Sequence, residues 1–326
     1  MNLEAFIAWR RAKEGEASWL CCETRLSKSL VALRPPVAHR PTQVHRCDLA
    51  RLWLKRRALS DAGALYLCEG VRHALALLFH QYAEEGSKVA LPSDVYPVYG
   101  KLAQVAGVST VGFETFPGFN LKKLLSDLEA AAVQIVVLPK PLKLQGRDWS
   151  AEDVTLACEW LREDPARRII LDAVYSMGLA YSSGTFSLLE SDQVLLLDSL
   201  SKGWLHEQVL GAVLVPEKDA QRYAFFKNLP PNAEKLALAQ SLLTEASAVP
   251  QALEAQLERL RATFFKVLGY KGIEVPAISR GYLLPVHQSV EILLNTHGML
   301  VLPASVFGSS HEDWSILSTL PALRDR

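Results

Sequence analysis

Short apolar runs alternate with helix-length amphipathic segments along much of this chain. The runs that predict strands span residues 64–68, 88–92, 108–113, 133–138, 168–172 and 194–197. Between them, hydrophobic residues recur at helical spacing, as in 71–82 and 98–106. Strands that alternate with helices over about 160 residues are typical of a mostly parallel sheet covered on both faces. We therefore predict an α/β fold whose sheet is sandwiched by helices.

Beyond residue 229 the pattern changes to long helices and short strands. Helices are predicted over 233–246 and 250–268, and short strands over 273–275, 281–285, 298–303 and 314–320. At the other end, residues 1–17 form an amphipathic helix pattern, and Asp48 is predicted to cap a helix that runs to Arg57. We expect a large domain over residues 46–228 and a small α+β domain built from 1–45 and 229–326.

Charge and cysteine content narrow the class of protein. The 326 residues carry 35 Lys+Arg and 35 Asp+Glu, so no general electrostatic attraction to nucleic acid or anionic membrane is expected. No run approaches the roughly 18 apolar residues of a membrane span, and the N-terminus lacks the apolar core of a signal peptide. The five cysteines have no metal-ligand spacing, which favours reduced thiols. We predict a soluble cytoplasmic protein with small-molecule partners and no metal.

One lysine lies in a polar turn between two apolar runs. This turn, residues 198–203 (the lysine turn), follows the apolar run 194–197. The next apolar run, 211–215, begins within about ten residues. That distance is too short for a full crossover helix. A lysine at the end of a buried strand can lose solvation, which lowers its pKa and prepares the amine for Schiff-base chemistry. This stretch alone favours the alternative, a solvated lysine in an ordinary turn.

Several residues with useful chemistry follow the ends of predicted strands. They are Gly70, Tyr96, Lys143, Asp172, Tyr175 and Lys202. In parallel sheets, ligands bind beyond the carboxyl ends of the strands, so we expect these residues to meet there. The turn at Gly70 also precedes a helix, whose N-terminal N–H groups and dipole favour an anion.

Taken together, these residues resemble the fold type I pyridoxal-phosphate enzymes, and within them the class I and II aminotransferases. The resemblance extends roughly from Asp48 to the C-terminus. It implies that Lys202, in Ser-Leu-Ser-Lys, forms a Schiff base with the aldehyde of pyridoxal 5'-phosphate and then carries a proton at the substrate α-carbon. It also implies that Asp172 pairs with the pyridinium nitrogen and that Tyr175 hydrogen-bonds the phenolic oxygen of the ring.

The resemblance assigns the remaining cofactor contacts as well. Tyr96 would stack on the cofactor ring. Gly70, Val71 and Arg72 would form the turn that cradles the phosphate, and Ser199 would add a hydroxyl. The family resemblance further implies a homodimer, with the active site between the two domains.

Three positions depart from the family pattern. Val209 stands where the family usually has a phosphate-binding arginine, and Arg72 or His206 is our candidate for the lost charge. Lys143 replaces an asparagine, and a lysine beside the ring oxygen would hold the phenolate ionised. The third departure, at Ile316, concerns the substrate.

Ile316 stands where the resemblance places an arginine that clamps the substrate carboxylate. Isoleucine cannot form a bidentate pair with a carboxylate. Either Arg280 or Arg34 takes over this contact, or the substrate is not an ordinary α-amino acid. A biosynthetic substrate fits this departure.

Three functions remain open from the sequence. The first is a pyridoxal-phosphate-dependent aminotransferase that exchanges an amino group between a small-molecule donor and a keto-acid acceptor. The second keeps the cofactor but breaks another bond, as in a decarboxylase or a β/γ-elimination lyase. The third is a degenerate, non-catalytic protein that binds the cofactor.

Overall fold

The computed structural model describes residues 1–35, 44–59, 63–95, 98–207 and 210–320. Tyr96, which we predict to stack on the cofactor, lies outside these ranges, as does Val209.

Helices and strands alternate through most of the described chain. The helices are α1 (Leu3–Lys13), α2 (Leu26–Ser29), α3 (Arg46–Arg56), α4 (Val71–Glu84), α5 (Val98–Ala106), α6 (Leu121–Ala130), α7 (Ala151–Glu163), α8 (Ser183–Leu189), α9 (Leu200–Gly203), α10 (Ala233–Thr244), α11 (Val249–Tyr270) and α12 (Val290–His297). The strands are β1 (Trp19–Leu20), β2 (Ala64–Cys68), β3 (Lys88–Pro92), β4 (Ser109–Phe113), β5 (Ile135–Pro139), β6 (Arg168–Asp172), β7 (Val194–Ser199), β8 (Gly211–Val215), β9 (Leu283–Val286), β10 (Met299–Leu300), β11 (Leu302–Pro303) and β12 (Ser315–Ser318).

The central sheet has seven strands in the order β2-β8-β7-β6-β5-β3-β4. All neighbours are parallel except at β8, which runs antiparallel to both β2 and β7. The short connection from β7 to β8 explains this exception, because it contains no crossover helix. The predicted α/β fold with a mostly parallel sheet is confirmed.

Helices cover both faces of this sheet. In β5, Val136 and Leu138 pack in the hydrophobic cluster that includes α6, α7 and α8, whereas Ile135 and Val137 pack in the cluster that includes α4 and α5. Alternate residues of a strand point to opposite faces, so a strand buried on both sides must be apolar throughout. That requirement explains why β5 and the first four residues of β7, 194–197, are continuous apolar runs whose residues are all buried.

Two smaller sheets lie outside the central one. Strand β12 pairs antiparallel with β9 and β11, and β1 pairs parallel with β10. The second pairing joins the N-terminal part of the chain to the C-terminal part, as a small domain built from both would require. The division into residues 46–228 and the two terminal parts stays a prediction. Among the described helices, none combines the length and apolar character that crossing a bilayer requires.

Three local predictions differ from the structure. Helix α3 begins at Arg46 with His45 at its N-cap, so the prediction that Asp48 caps it was wrong; Asp48 instead pairs with Arg51. No strand forms at 273–275, where Ile273 packs into a hydrophobic core from irregular backbone. Helix α8, between β6 and β7, was not predicted.

A buried ion pair connects α3 to the end of β7. Arg57 donates two hydrogen bonds to Asp198, from Nη2 to Oδ1 at 2.6 Å and from Nε to Oδ2 at 2.7 Å. Trp53 Nε1 and the Ser199 backbone N–H donate to the same carboxylate, each at 2.7 Å. Arg57 is 1% exposed and Asp198 3%. The lysine turn, which begins at Asp198, is thus fixed to α3 at its first residue.

Removing the carboxylate of this pair should destabilise the fold strongly. We expect Asp198→Ala to lower the free energy of unfolding by about 3–5 kcal/mol, because it leaves the Arg57 guanidinium buried and uncompensated. Urea denaturation followed by circular dichroism measures the change.

Asp48→Ala is the matched control. It removes the aspartate of a pair with Arg51 in which both side chains are exposed, Arg51 by 78% and Asp48 by 67%. We expect the free energy of unfolding to fall by less than about 1 kcal/mol. Equal losses in the two variants would show that the buried pair has no special weight.

Candidate active site

A cleft of about 630 Å³ opens at the carboxyl ends of β5, β6 and β7, beside the N-terminus of α4. Eight of the nine residues that the sequence predicts for the site line it. They are Gly70, Val71, Arg72, Lys143, Asp172, Tyr175, Ser199 and Lys202. The ninth, Tyr96, is outside the described residues. Parallel strands bring these residues together although they lie far apart in the sequence.

Lys202 reaches the cleft from the short helix α9. The hydroxyl of Ser199 accepts a hydrogen bond from the Ser201 backbone N–H at 3.1 Å and so begins this helix at the end of β7. The Lys202 side chain is half-buried, and its Nζ lies 5.8 Å from the centroid of the Tyr175 ring. Its amine is therefore available to a ligand in the cleft.

Asp172 ends β6 with its carboxylate at the floor of the cleft. Its Oδ1 accepts a hydrogen bond from the Val174 backbone N–H at 3.1 Å, and its Oδ2 accepts one from the Tyr99 hydroxyl. Burial raises the pKa of Asp172, although these two bonds and the Lys143 charge act in the opposite direction. The carboxylate can still accept a bond from a protonated ring nitrogen.

The sequence did not single out Tyr99. Tyr99 lies on the buried face of α5, where its hydrophobic neighbours suggested only packing. Its position three residues after Tyr96, on a helix that follows a strand end, is the one signal that could have placed it near the cleft. The partner of its hydroxyl, Asp172, lies 73 residues away, so no local pattern in the sequence indicates this hydrogen bond.

Tyr175 lies close to two ammonium groups. Lys143 Nζ is 4.8 Å from the centroid of the Tyr175 ring, and Lys202 Nζ is 5.8 Å from it. Burial would raise the pKa of Tyr175, but the charges of Lys143 and Lys202, together with hydrogen bonding to Lys143 and Tyr282, outweigh burial and lower the pKa to about 8. Tyr282 packs against Tyr175 with the ring centroids 6.4 Å apart, and burial raises its pKa well above the usual value. Only Tyr175 of this pair ionises readily.

The turn at Gly70 leaves open space at the start of α4. Its φ of +153° strains any residue other than glycine, and a Cβ built there would meet no atom within 4 Å. Gly211 lies against this turn, since a Cβ on it would be 2.7 Å from the Gly70 carbonyl carbon. With the first N–H groups of α4 and the Ser199 hydroxyl nearby, the turn suits an anion such as phosphate.

The two candidates for the missing phosphate charge lie in different places. Arg72 lines the cleft, whereas His206 is not among the residues that line it. Glu69, beside Gly70, also lines the cleft and is held at the start of α10: it pairs with Lys235 and accepts a hydrogen bond from the Asn232 backbone N–H at 3.1 Å. The phosphate turn is thus supported from α10 as well as from the sheet.

Ile316 does not reach the cleft. It is fully buried in β12, opposite Pro285 of β9 and Leu302 of β11, and it packs in a hydrophobic core. Of the predicted substitutes, Arg280 lines a small crevice beside Tyr175 and Tyr282, and Arg34 is exposed; neither lines the cleft. Arg25 does line it, and no motif in the sequence marked that residue.

The side chains around the cleft fit pyridoxal phosphate. An amine for an aldehyde, a carboxylate for a ring nitrogen, a phenol for a ring oxygen and a helix N-terminus for a phosphate are all present. They come from Lys202, Asp172, Tyr175 and the turn at Gly70. The fit rests on these four chemical groups together and not on any single residue.

Solved structures with the same fold come from several organisms. The aspartate aminotransferase of Thermus thermophilus (a double mutant) superposes with a TM-score of 0.71 at 17% identity, covering 97% of this chain and 90% of that one. An aminotransferase from Mycobacterium tuberculosis gives 0.71 at 19% identity, with the same two coverages. A PLP-bound C-S lyase from Staphylococcus hominis gives 0.69 at 14% identity, covering 98% and 90%. At these identities the likeness shows the fold.

Sequence comparison gives the family. A curated relative, the probable N-acetyl-LL-diaminopimelate aminotransferase of Bacillus subtilis (strain 168), is 26% identical over 168 residues. The aligned part spans 47% of this chain and 42% of that relative. The model of the family "Aminotransferase class I and II" matches residues 40–319, most of the chain, and it supports the predicted cofactor, pyridoxal 5'-phosphate. The chain belongs to the class I and II aminotransferase family.

Proposed function

We propose that this chain is a pyridoxal-phosphate-dependent aminotransferase that exchanges an amino group between an amino-acid-related donor and a keto acid. The observation that carries the proposal is the meeting of Lys202, Asp172 and Tyr175 in one cleft at the ends of adjacent strands. Family membership and the aminotransferase name of the curated relative support it.

Lys202 would hold the cofactor at its aldehyde and, once its amine is released, would move a proton at the substrate α-carbon. When bound, the cofactor supplies a ring that accepts the electron pair of the bond broken at that carbon. The half-buried position of Lys202 suits both tasks, since its amine faces the cleft and not bulk water. A general base must lie within reach of the proton that it takes.

Asp172 would keep the pyridine nitrogen protonated. Its carboxylate is fixed by Tyr99 and by the Val174 backbone N–H, so it cannot rotate away from the cleft floor. A fixed negative charge stabilises a protonated ring nitrogen.

Tyr175 and Lys143 would act together at the ring oxygen. The ammonium of Lys143 lies 4.8 Å from the centroid of the Tyr175 ring and favours the Tyr175 phenolate. Gly70, Val71, Arg72 and Ser199 would hold the phosphate, and Tyr96 would stack on the ring.

A second candidate is a lyase that uses the same cofactor. Ile316, buried where the family pattern has a carboxylate arginine, favours a decarboxylase, because loss of the carboxylate requires the bond from Cα to the carboxylate, and not the Cα–H bond, to lie perpendicular to the ring. The C-S lyase of S. hominis has a comparable fold. We rank the lyase second because the family model and the curated relative both carry aminotransferase names, whereas Lys202, Asp172 and Tyr175 suit either reaction.

The assembly and location remain proposals of the same kind. We infer a homodimer and a cytoplasmic location, and a site between a large domain of residues 46–228 and a small domain from both termini. The pairing of β1 with β10 supports the terminal domain.

Lys202 should be the residue that attaches the cofactor. The purified protein is expected to show a visible absorption band that Lys202→Ala abolishes, since only a free amine can attach the aldehyde. Borohydride reduction followed by peptide mass spectrometry should locate the cofactor on Lys202. Lys143→Ala, which removes the other lysine of the cleft, should keep the attachment. A protein that stays colourless with added pyridoxal phosphate would refute both enzyme functions.

Tyr175 should ionise at unusually low pH in the cofactor-free protein. One phenol is expected to titrate near pH 8, protonated below and ionised above, because two ammonium groups stabilise the phenolate. Ultraviolet difference absorbance of phenolate follows it. The transition should vanish in Tyr175→Phe and move to higher pH in Lys143→Met, which removes one of the charges; an unmoved transition in Lys143→Met would contradict the role of Lys143.

Amino donors should convert the bound cofactor to its amine form. Stopped-flow absorbance with a broad panel of amino acids tests this half-reaction, and added keto acid should restore the original spectrum. Release of carbon dioxide, or of a keto acid together with ammonia, without such conversion would favour the lyase. Asp172→Ala should slow either reaction by at least about 100-fold, because the ring then loses its fixed charge.

A further inference from the structure

The N-terminal segment, residues 21–28, forms one wall of the cleft. Arg25, Leu26 and Ser27 line the cleft from this segment. The Ser27 hydroxyl donates to Glu207 at 2.7 Å, which ties the segment to the chain just beyond the lysine turn. This wall of the cleft is therefore built by a part of the chain with no recognisable motif.

This segment is anchored to the strand that carries Ile316. The Ser318 backbone N–H of β12 donates to the Cys21 carbonyl at 2.8 Å, and the Tyr282 hydroxyl donates to the Thr24 carbonyl at 2.8 Å. Tyr282 in turn packs on Tyr175. The backbone just before Arg25 is thus held by β12 at Cys21 and by Tyr282 at Thr24, and Arg25 itself lines the cleft.

Glu23 orients the Arg25 side chain. Its carboxylate accepts the backbone N–H groups of Thr24 and Arg25 at 3.0 and 2.9 Å, and it accepts Arg25 Nε at 3.2 Å and Nη2 at 3.4 Å. Within the described residues Nη1 makes no hydrogen bond, and the side chain is 61% exposed. The guanidinium is positioned, yet it keeps donors for a ligand.

The cleft carries an excess of positive charge. Two arginines and two lysines line it, against Glu69, Asp172 and Glu207. The charge of Glu69 is paired with Lys235 and that of Arg25 with Glu23, whereas Asp172 and Glu207 accept hydrogen bonds from the hydroxyls of Tyr99 and Ser27. A concave site with such a balance attracts anions.

We propose that Arg25 binds the carboxylate of the substrate, and so does at the N-terminal segment what the buried Ile316 cannot do from β12. This inference rests on the proposed function, which supplies an amino acid as the substrate class. Arg72 is the other arginine of the described cleft, but it follows the glycine turn at the start of α4, on the phosphate side. Arginine suits the task because its planar fork pairs with both carboxylate oxygens.

Binding of matched acids and amides to the cofactor-loaded protein tests the proposal. The probes are 3-phenylpropionate with 3-phenylpropanamide, and propionate with propionamide; isothermal titration calorimetry gives their dissociation constants. We expect each acid to bind more tightly than its amide. Arg25→Gln should weaken the acids by about 10- to 100-fold and leave the amides unchanged, and Arg25→Lys should lie between.

Lys28→Gln is the matched control. Lys28 approaches the same Glu23 carboxylate at 3.5 Å and is 64% exposed, but it does not line the cleft. It should leave acid binding unchanged. An acid preference that persists in Arg25→Gln, that is lost equally in Lys28→Gln, or that is absent from the unaltered protein would overturn the proposal.

A second measurement separates this inference from the proposed function. L-phenylalanine and 2-phenylethylamine differ only in the carboxylate, so Arg25→Gln should slow conversion of the bound cofactor by the amino acid and not by the amine. The visible band of the bound cofactor should be the same in both proteins. If no donor converts the cofactor while acid binding still depends on Arg25, aminotransfer fails and the carboxylate site stands. If transfer proceeds and acid binding ignores Arg25, the carboxylate site fails alone.

Discussion

The buried pair of Arg57 and Asp198 is the interaction on which the geometry of the cleft depends. Two charges with 1% and 3% exposure are costly to remove from water, and the cost is offset only when the carboxylate is fully hydrogen-bonded. Here Arg57, Trp53 and the Ser199 backbone N–H supply those bonds. Because Asp198 is also the first residue of the lysine turn, the central sheet and the end of α3 together fix the backbone that carries Lys202. Its own contacts in the cleft remain free to change with a ligand.

The cleft combines two kinds of wall. The sheet side, with Asp172 and Lys202, is set by strands whose neighbours are buried on both faces. The N-terminal side is held by hydrogen bonds from Ser318 to Cys21, from Tyr282 to Thr24 and from Ser27 to Glu207, and by the buried side chains of Cys21, Cys22 and Leu26. Both walls are therefore anchored in hydrophobic cores, one through the central sheet and one through the N-terminal segment.

Local pattern predicted much of the fold, and tertiary pairing explains what it missed. Strands β2, β3, β6 and β8 have the predicted bounds, because apolar runs between turns report burial directly. The gathering of Lys143, Asp172 and Lys202 followed from the rule on strand ends. Arg57 finds its partner 141 residues away and Tyr99 finds one 73 residues away, distances on which periodicity carries no information. Arg25 has no motif at all. Its place in the cleft arises because β1 pairs with β10 and brings the N-terminal segment across.

The order of strands has a consequence for how the chain is made. Strand β2 has β8 as its neighbour in the central sheet, so the strand that leads into the Gly70 turn pairs with the last strand of that sheet to leave the ribosome. Until Gly211 emerges, the turn lacks the backbone against which it packs. The Gly70 turn, although it is synthesised before β3 to β7, therefore waits for β8 to be completed, and β2 stays an unpaired strand while β3 to β7 assemble. A slow stretch of translation before β8 would lengthen the time for which that edge is exposed to other chains.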